Sequence, residues 1–257
     1  MSSAEERGIT RDLLVLAVNC LDLAVLDPDV GEADVVAACR RAKDPGPELR
    51  PAAGVCVLTP MVEVAARELD GSPVRVVAAA GGFPEGTMPV KHRQPEVKAA
   101  LRRGAEEVDT VLNWRAVLAG SEGQAFDEIA AVARWMRGKT LKVILETGTL
   151  GSAENIGKAA HIAMTAGADF VKTCTGTREP ATLEAARAMI EAVAEHHRET
   201  GKMVGVKVSG GIRETSQALD HISQVTGVLG FARLSPRTFR IGASSLLDDI
   251  LANLDSC

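Results

Sequence analysis

The sequence contains no tyrosine, and aromatic residues make up 3% of its 257 residues. With so few rings, and no basic block for them to interleave with, the chain lacks both the stacking platforms and the cationic stripe of a nucleic-acid surface. Lys and Arg number 29 against 34 Asp and Glu, a formal net charge of −5, so any anionic ligand must be held by local donors. Cysteine is sparse and unpatterned: Cys20, Cys39, Cys56, Cys174 and Cys257 have no Cys-x-x-Cys spacing and no neighbouring histidine pattern. Neither a disulfide framework nor a zinc site is indicated, no metal is expected, and reduced thiols in the cytoplasm fit this usage. No run approaches the roughly 18 apolar residues of a membrane-spanning helix, and the polar segment Met1 to Thr10 lacks the apolar centre of an export signal. The chain has no Gly-x-x-x-x-Gly-Lys loop and no Gly-x-Gly-x-x-Gly after a first strand, so no nucleotide cofactor is indicated and none of any kind is expected.

What the chain does have is alternation. Short apolar runs at Cys20 to Leu26, Gly54 to Leu58, Val74 to Ala80, Glu107 to Leu112, Leu141 to Glu146, Asp169 to Thr173, Val204 to Lys207 and Phe239 to Gly242 read as strands. Between them lie Ala-rich amphipathic segments such as Gln94 to Arg103, Phe126 to Arg137, Ala153 to Ala166, Ala181 to Arg198 and Thr215 to Ser223. Repeated βαβ units imply a parallel sheet, and about eight strands in about 250 residues close a barrel. The expected fold is α/β, a single (β/α)8 TIM barrel over residues 1–257, with a short N-terminal helix and a flexible or helical extension over residues 1–10. Residues 225–237 receive no assignment, since Val228 to Ala232 reads equally as an extra strand or a loop.

Two of the strands carry lysine where an apolar wall does not normally tolerate it. Lys172 follows Ala168-Asp169-Phe170-Val171, Lys207 follows Val204-Gly205-Val206, and small or glycine-rich residues come after each. Burial disfavours a lysine's charged form. Two ammonium groups about 4 Å apart at an effective dielectric of about 20 repel by about 4 kcal/mol, enough to bring a lysine from about 10.4 to near 7. Part of it would then be a free amine able to attack a carbonyl. The alternative is that each lysine lies just past its strand and reaches solvent. In Glu106-Glu107-Val108-Asp109-Thr110-Val111, alternation puts Glu107, Asp109 and Val111 on one face. Asp109 opposite a lysine is either a structural ion pair or a partner in proton relay. Asp22, in Cys20-Leu21-Asp22-Leu23, supports a lysine or hydrogen-bonds to the barrel, and Glu146 ends its strand where it either faces the pocket or turns away.

Glycines follow the last two strands, in Gly210-Gly211-Ile212-Arg213 and Gly242-Ala243-Ser244-Ser245. Loops after the seventh and eighth strands of many barrels bind phosphate through backbone N–H groups and a helix N-terminus, although tight turns alone would also use glycine. The histidines, His92, His161, His196, His197 and His221, read as solvated or satisfied side chains. Cys56 reads as core, and Cys174 as lining the pocket with no assigned role.

Together these motifs resemble the deoxyribose-phosphate aldolases, class I Schiff-base aldolases with an α/β barrel. The likeness runs from Leu21-Asp22-Leu23 through Gly82-Phe83-Pro84-Glu85-Gly86, Glu107-Val108-Asp109, Glu146-Thr147-Gly148, Gly167-Ala168-Asp169-Phe170-Val171-Lys172-Thr173 and Gly210-Gly211 to Phe239-Arg240-Ile241-Gly242-Ala243-Ser244-Ser245. It implies that Lys172 forms the Schiff base, that Lys207 lowers its pKa and takes part in proton transfer, and that Asp109 is the relay partner. Gly176, Gly210, Gly211, Gly242, Ser244 and Ser245 match the family's phosphate-binding positions. The implied reaction is reversible cleavage of 2-deoxyribose 5-phosphate to acetaldehyde and glyceraldehyde 3-phosphate, in deoxyribonucleotide catabolism. The implied partners are a phosphorylated sugar and an aldehyde, with a homodimer as the assembly.

Three departures stand out. Val208-Ser209 replaces the usual Pro-Ala, restoring a backbone N–H and adding a hydroxyl near the expected phosphate site. Ala24 stands where a threonine is common. Some members use a tyrosine in a C-terminal tail for proton transfer, and this sequence has none. A related Schiff-base aldolase for a different phosphorylated sugar, and a noncatalytic phosphosugar-binding barrel, remain as alternatives; a metal-dependent aldolase lacks its ligand cluster.

Overall fold

The computed structural model describes the backbone of residues 3–254 and the side chains of residues 11–254. Eight parallel strands follow one another around a closed barrel in chain order: β1 (Leu21–Val25), β2 (Gly54–Leu58), β3 (Arg75–Ala79), β4 (Glu107–Val111), β5 (Thr140–Ile144), β6 (Phe170–Lys172), β7 (Gly205–Ser209) and β8 (Phe239–Ala243). Strand β8 closes on β1 through the register Asp22↔Gly242. The strand expectations hold to within two residues. Of the expected extension, residues 3–10 belong to a helix, and Met1 and Ser2 lie outside the described residues.

The helices are α1 (Ser3–Asn19), α2 (Glu32–Lys43), α3 (Val62–Glu68), α4 (Val90–Arg102), α5 (Trp114–Leu118), α6 (Glu122–Met136), α7 (Thr147–Leu150), α8 (Ala153–Thr165), α9 (Leu183–Thr200), α10 (Thr215–Leu229) and α11 (Leu246–Leu254). Most of the apolar core lies between the strands' outer faces and these helices, in one continuous cluster that includes Val55, Val108, Val143, Ile156, Ile190 and Ile241. Each strand is therefore apolar on its outer face, while its inner face is free to carry other chemistry. Gly104 and Gly167 turn the chain from α4 into β4 and from α8 into β6 with φ of 107° and 109°, a left-handed region costly for other residues.

Residues 225–237 resolve into a definite course. Helix α10 continues to Leu229, Gly230 ends it at φ 87°, and a 3-10 turn at Phe231–Arg233 leads toward β8. There is no strand at Val228 to Ala232. The apolar spacing of Ala218, Ile222 and Val225, all buried, keeps the helix going past the weak helix formers Thr226 and Gly227.

Strand β7 also runs further than expected. It reaches Ser209, so Lys207 sits in mid-strand, two residues before its end. Val208 and Ser209 pair with Ile241 and Gly242 of β8, a continuation that residues with backbone N–H groups permit.

Candidate active site

The inner face of the barrel is ionic. Asp22 of β1, Glu107 and Asp109 of β4, Lys142 of β5, Lys172 of β6, Lys207 of β7 and Arg240 of β8 all point inward and are all buried. Lys172 Nζ donates to Asp109 Oδ2 at 2.9 Å, and Lys207 Nζ donates to the same oxygen at 2.8 Å and to Asp22 Oδ2 at 2.6 Å. Lys142 Nζ donates to Asp109 Oδ1 at 3.1 Å and lies 2.5 Å from Glu107 Oε2 and 3.7 Å from Asp22 Oδ2. The Arg240 guanidinium bridges Asp22 and Glu107. The four residues singled out from the sequence, Lys172, Lys207, Asp109 and Asp22, thus form one connected cluster.

Glycines make this crowding feasible. A Cβ on Gly242 would lie 3.0 Å from Lys207 Cε, and one on Gly54 would lie 2.9 Å from Asp22 Oδ1. A Cβ on Gly205 would sit 2.3 Å from the Phe170 ring, which fills the barrel beneath the lysines and carries Arg240 over its face at 5.7 Å. Gly242 is therefore a glycine of close approach inside β8 rather than of the turn that follows.

For Asp22, Asp109, Lys142, Lys207 and Arg240, burial disfavours the charged form and the neighbouring charges outweigh it. Against burial, the ammonium groups of Lys142, Lys172 and Lys207 hold the Asp109 carboxyl well below the usual carboxylate range. Arg240, Lys207 and Lys142 do the same for Asp22. In the opposite sense, Asp109 and Asp22 raise Lys207 above an ordinary lysine, and Asp109, Glu107 and Asp22 raise Lys142. The expected picture of two lysines in bare repulsion is corrected here: a carboxylate oxygen stands between them, and a third lysine and an arginine complete the cluster. Cys56 is buried on the inner face with its Sγ 3.9 Å from Asp109 Oδ2, and burial together with Asp109 pushes its thiol up to about 11.

Lys142 and Arg240 were not singled out from the sequence, although the signal was there. Leu141-Lys142-Val143-Ile144 and Phe239-Arg240-Ile241 each place a cation inside an apolar run, as the lysine strands do. Glu146 turns away from the lysines and accepts a hydrogen bond from Thr175 Oγ1 at 2.7 Å, joining the loops after β5 and β6.

Apart from Gly242, which lies within β8, the candidate phosphate residues gather in the three consecutive loops after β6, β7 and β8. Gly176, Gly210 and Gly211 have φ of 90°, 100° and 80°, and Gly210 packs so near Cys174 that a Cβ would lie 2.9 Å from that residue's own. Ser244 and Ser245 are exposed just ahead of α11. The hydroxyl of Ser209, expected near the phosphate, is directed elsewhere: it donates to the Cys174 carbonyl at 2.6 Å, while Ser209 N donates to Thr173 Oγ1 at 2.8 Å. A cavity of about 1110 Å³ opens at the other end of the barrel, between residues such as Ala53, Arg75, Thr140 and Asp169 at the strands' beginnings. Glu107, Phe170 and Arg240 line it and separate it from the lysines above.

No helix among the described residues is long and apolar enough to cross a membrane. A lysine held by a carboxylate deep in a closed parallel barrel is a group suited to chemistry beside a carbonyl, of the kind an aldolase-type lyase carries out. Comparison with known proteins agrees. A family model described as DeoC/LacD family aldolase matches residues 17–249, and the chain belongs to that family. It is 39% identical over 251 residues to the deoxyribose-phosphate aldolase of Bos taurus, covering 92% of this chain and 79% of that one. The Homo sapiens deoxyribose-phosphate aldolase is 38% identical over 251 residues with the same coverage, 92% and 79%. Among solved structures, one from Toxoplasma gondii ME49 superposes with a TM-score of 0.85 at 26% identity, covering 96% of this chain and 98% of that chain.

Proposed function

We propose that the chain is a class I aldolase that reversibly cleaves 2-deoxy-D-ribose 5-phosphate to D-glyceraldehyde 3-phosphate and acetaldehyde through a Schiff base on Lys172. The observation that carries this reading is the sharing of one Asp109 oxygen by Lys172 and Lys207, at 2.9 and 2.8 Å, inside a cluster with one more cation than anion. The names of the mammalian relatives supply the substrate.

Charge balance favours Lys172 as the amine. Lys142, Lys172, Lys207 and Arg240 face Asp22, Glu107 and Asp109, so the cluster is neutral when one lysine has given up its proton. Lys142 touches all three carboxylates and Lys207 touches two, whereas Lys172 touches only Asp109. Deprotonating Lys172 gives up the fewest attractive contacts.

The free amine adds to C1 of the open-chain aldehyde, and loss of water leaves the iminium. The two-carbon product identifies the bond that breaks as C2–C3. As the 3-hydroxyl loses its proton, C3 becomes the aldehyde carbon of glyceraldehyde 3-phosphate and the bonding pair moves into the iminium, giving an enamine. Asp109, Lys207 and a water carry that proton. Asp22 supports Lys207 from 2.6 Å. Protonation of the enamine at C2 and hydrolysis release acetaldehyde and restore the amine. The substrate phosphate is assigned to Gly176, Gly210, Gly211, Ser244 and Ser245, through loop N–H groups and the N-terminus of α11, while Gly242, inside β8, admits the Lys207 stem.

The test is to incubate the protein with 2-deoxyribose 5-phosphate and borohydride and locate the added mass by peptide mass spectrometry. A reduced two-carbon or five-carbon adduct on Lys172 is expected. Turnover without any adduct, or an adduct on Lys207 in its place, overturns the assignment. A panel of phosphorylated sugars separates this substrate from that of a related Schiff-base aldolase.

A further inference from the structure

Asp109 has two oxygens, and the structure divides them between different partners. Oδ2 receives Lys172 and Lys207, and Oδ1 receives Lys142 at 3.1 Å. The terminal torsion of an aspartate is broad, so a carboxylate is free to turn unless something holds one end. Lys142 is suited to hold it. Its side chain is fully buried, it stands directly opposite Asp109 in the register of β4 and β5, and its ammonium is anchored by Glu107 Oε2 at 2.5 Å and Asp22 Oδ2 at 3.7 Å.

We propose that Lys142 is a positioning residue for the reaction, pinning Oδ1 of Asp109 so that Oδ2 stays directed at Lys172 and Lys207 while protons move. The proposal rests on the reading of Asp109 as the relay given above. Lys142 itself never meets the substrate. When Lys172 becomes an imine, its contact with Oδ2 is remade, and the contact at Oδ1 is the one that remains unchanged through the cycle.

The charged and titratable groups facing Asp109 come from every strand that bears one: Asp22 of β1, Cys56 of β2, Glu107 of β4, Lys142 of β5, Lys172 of β6, Lys207 of β7 and, at one remove, Arg240 of β8. Strand β3 contributes only Val77 and Ala79. The Lys142 charge helps keep Asp109 ionised, so its loss moves the acid limb of a relay through Asp109 to higher pH.

Two variants of the full chain test this. Lys142→Met removes the pin; Lys142→Met combined with Glu107→Gln removes the pin and its carboxylate partner together, so the cluster keeps its net charge if the single variant fails to fold. Three quantities are read with each: borohydride trapping on Lys172, the pH dependence of kcat, and the rate at which the methyl protons of acetaldehyde exchange with deuterated water, which reports proton transfer to and from the enamine. In the double variant, trapping on Lys172 is expected to persist with KM nearly unchanged. Exchange and kcat are expected to fall about 10²-fold, the order lost with a general acid–base group, with the acid limb displaced upward. Wild-type exchange and an unmoved pH profile in the double variant overturn the proposal, since Lys142 would then only balance Glu107. Failure of the wild-type chain to trap on Lys172 defeats instead the Schiff-base reading beneath it.

Discussion

The two halves of the barrel contribute opposite charge to one cluster. Strands β1 to β4 supply Asp22, Glu107 and Asp109 and no cation, and strands β5 to β8 supply Lys142, Lys172, Lys207 and Arg240 and no carboxylate. Either half closed on itself would bury like charges, each costing several kcal/mol to desolvate. Together they cancel all but one charge. Closing the barrel and assembling the cluster are therefore one event: the lysine proposed to react belongs to the half with the surplus, and the groups that restrain it cross from the other.

That surplus is where the comparison breaks most sharply. Lys172→Met leaves three cations against three carboxylates, so the protein is expected to stay folded while kcat falls by at least about 10³-fold, as when a covalent nucleophile is lost. Substrate cleavage by the purified variant checks this, and retention of a tenth of the activity would remove Lys172 from its role. The opposite change, Asp109→Asn, takes an anion from the deficient half. It is expected to cost about 3–5 kcal/mol in urea denaturation because buried ammonium groups lose their counter-ion, and to lower kcat by about 10²–10⁴-fold. A variant as stable as wild type would show that the halves do not depend on each other's charge.

Smaller changes sharpen the contrast. Lys207→Leu removes the surplus while keeping the nucleophile, so the pH of half-maximal borohydride trapping on Lys172 is expected to move upward; an unchanged profile would mean that burial, not neighbouring charge, governs the amine. The pH dependence of stability also separates the halves. Asp22 and Asp109 titrate below their unfolded values, so their contribution is complete above about pH 4 and is lost as pH falls through the depressed folded values. Lys142 and Lys207 titrate above theirs, so their contribution is complete below about pH 10 and is lost as pH rises through the raised ones. Thermal unfolding across pH is expected to show no loss from these four groups in between, and Asp22→Asn is expected to flatten the acid limb. The least effect belongs outside the cluster: Arg75, paired with Glu106 at the barrel's other mouth and 55% exposed, is expected to cost at most about 1 kcal/mol on replacement by alanine, with kcat unchanged.

The barrel was legible because its strands are apolar on the face that meets the helices, and each helix repeats its apolar residues at helical spacing. The site was legible wherever a charge interrupted an apolar run near the end of a strand, as at Lys172, or alternated with apolar neighbours, as at Asp109. Lys142 and Arg240 break their runs in the same way. In the expected strands Leu141 to Glu146 and Phe239 to Gly242 each stands second, and attention drawn to the strands' carboxyl ends passes over them. Gly242 carried an ambiguous signal, because a glycine needed for a phosphate turn and one needed to admit a lysine stem look alike in a sequence. The direction of the Ser209 hydroxyl was not readable at all, since it depends on a carbonyl of the neighbouring loop, brought near only by the pairing of β6 with β7.

That hydroxyl belongs to a clasp with a consequence for size. Thr173 Oγ1 donates to the Ser209 carbonyl at 2.7 Å and receives Ser209 N at 2.8 Å, and Ser209 Oγ donates to the Cys174 carbonyl at 2.6 Å. Lys172 immediately precedes this clasp on one strand, and Gly210 immediately follows it on the next. With Lys172 and Gly210 in their proposed roles, the clasp ties the amine's strand to the glycine turn like the two jaws of a caliper, and a ligand that reaches from one to the other is gauged by the number of its carbons.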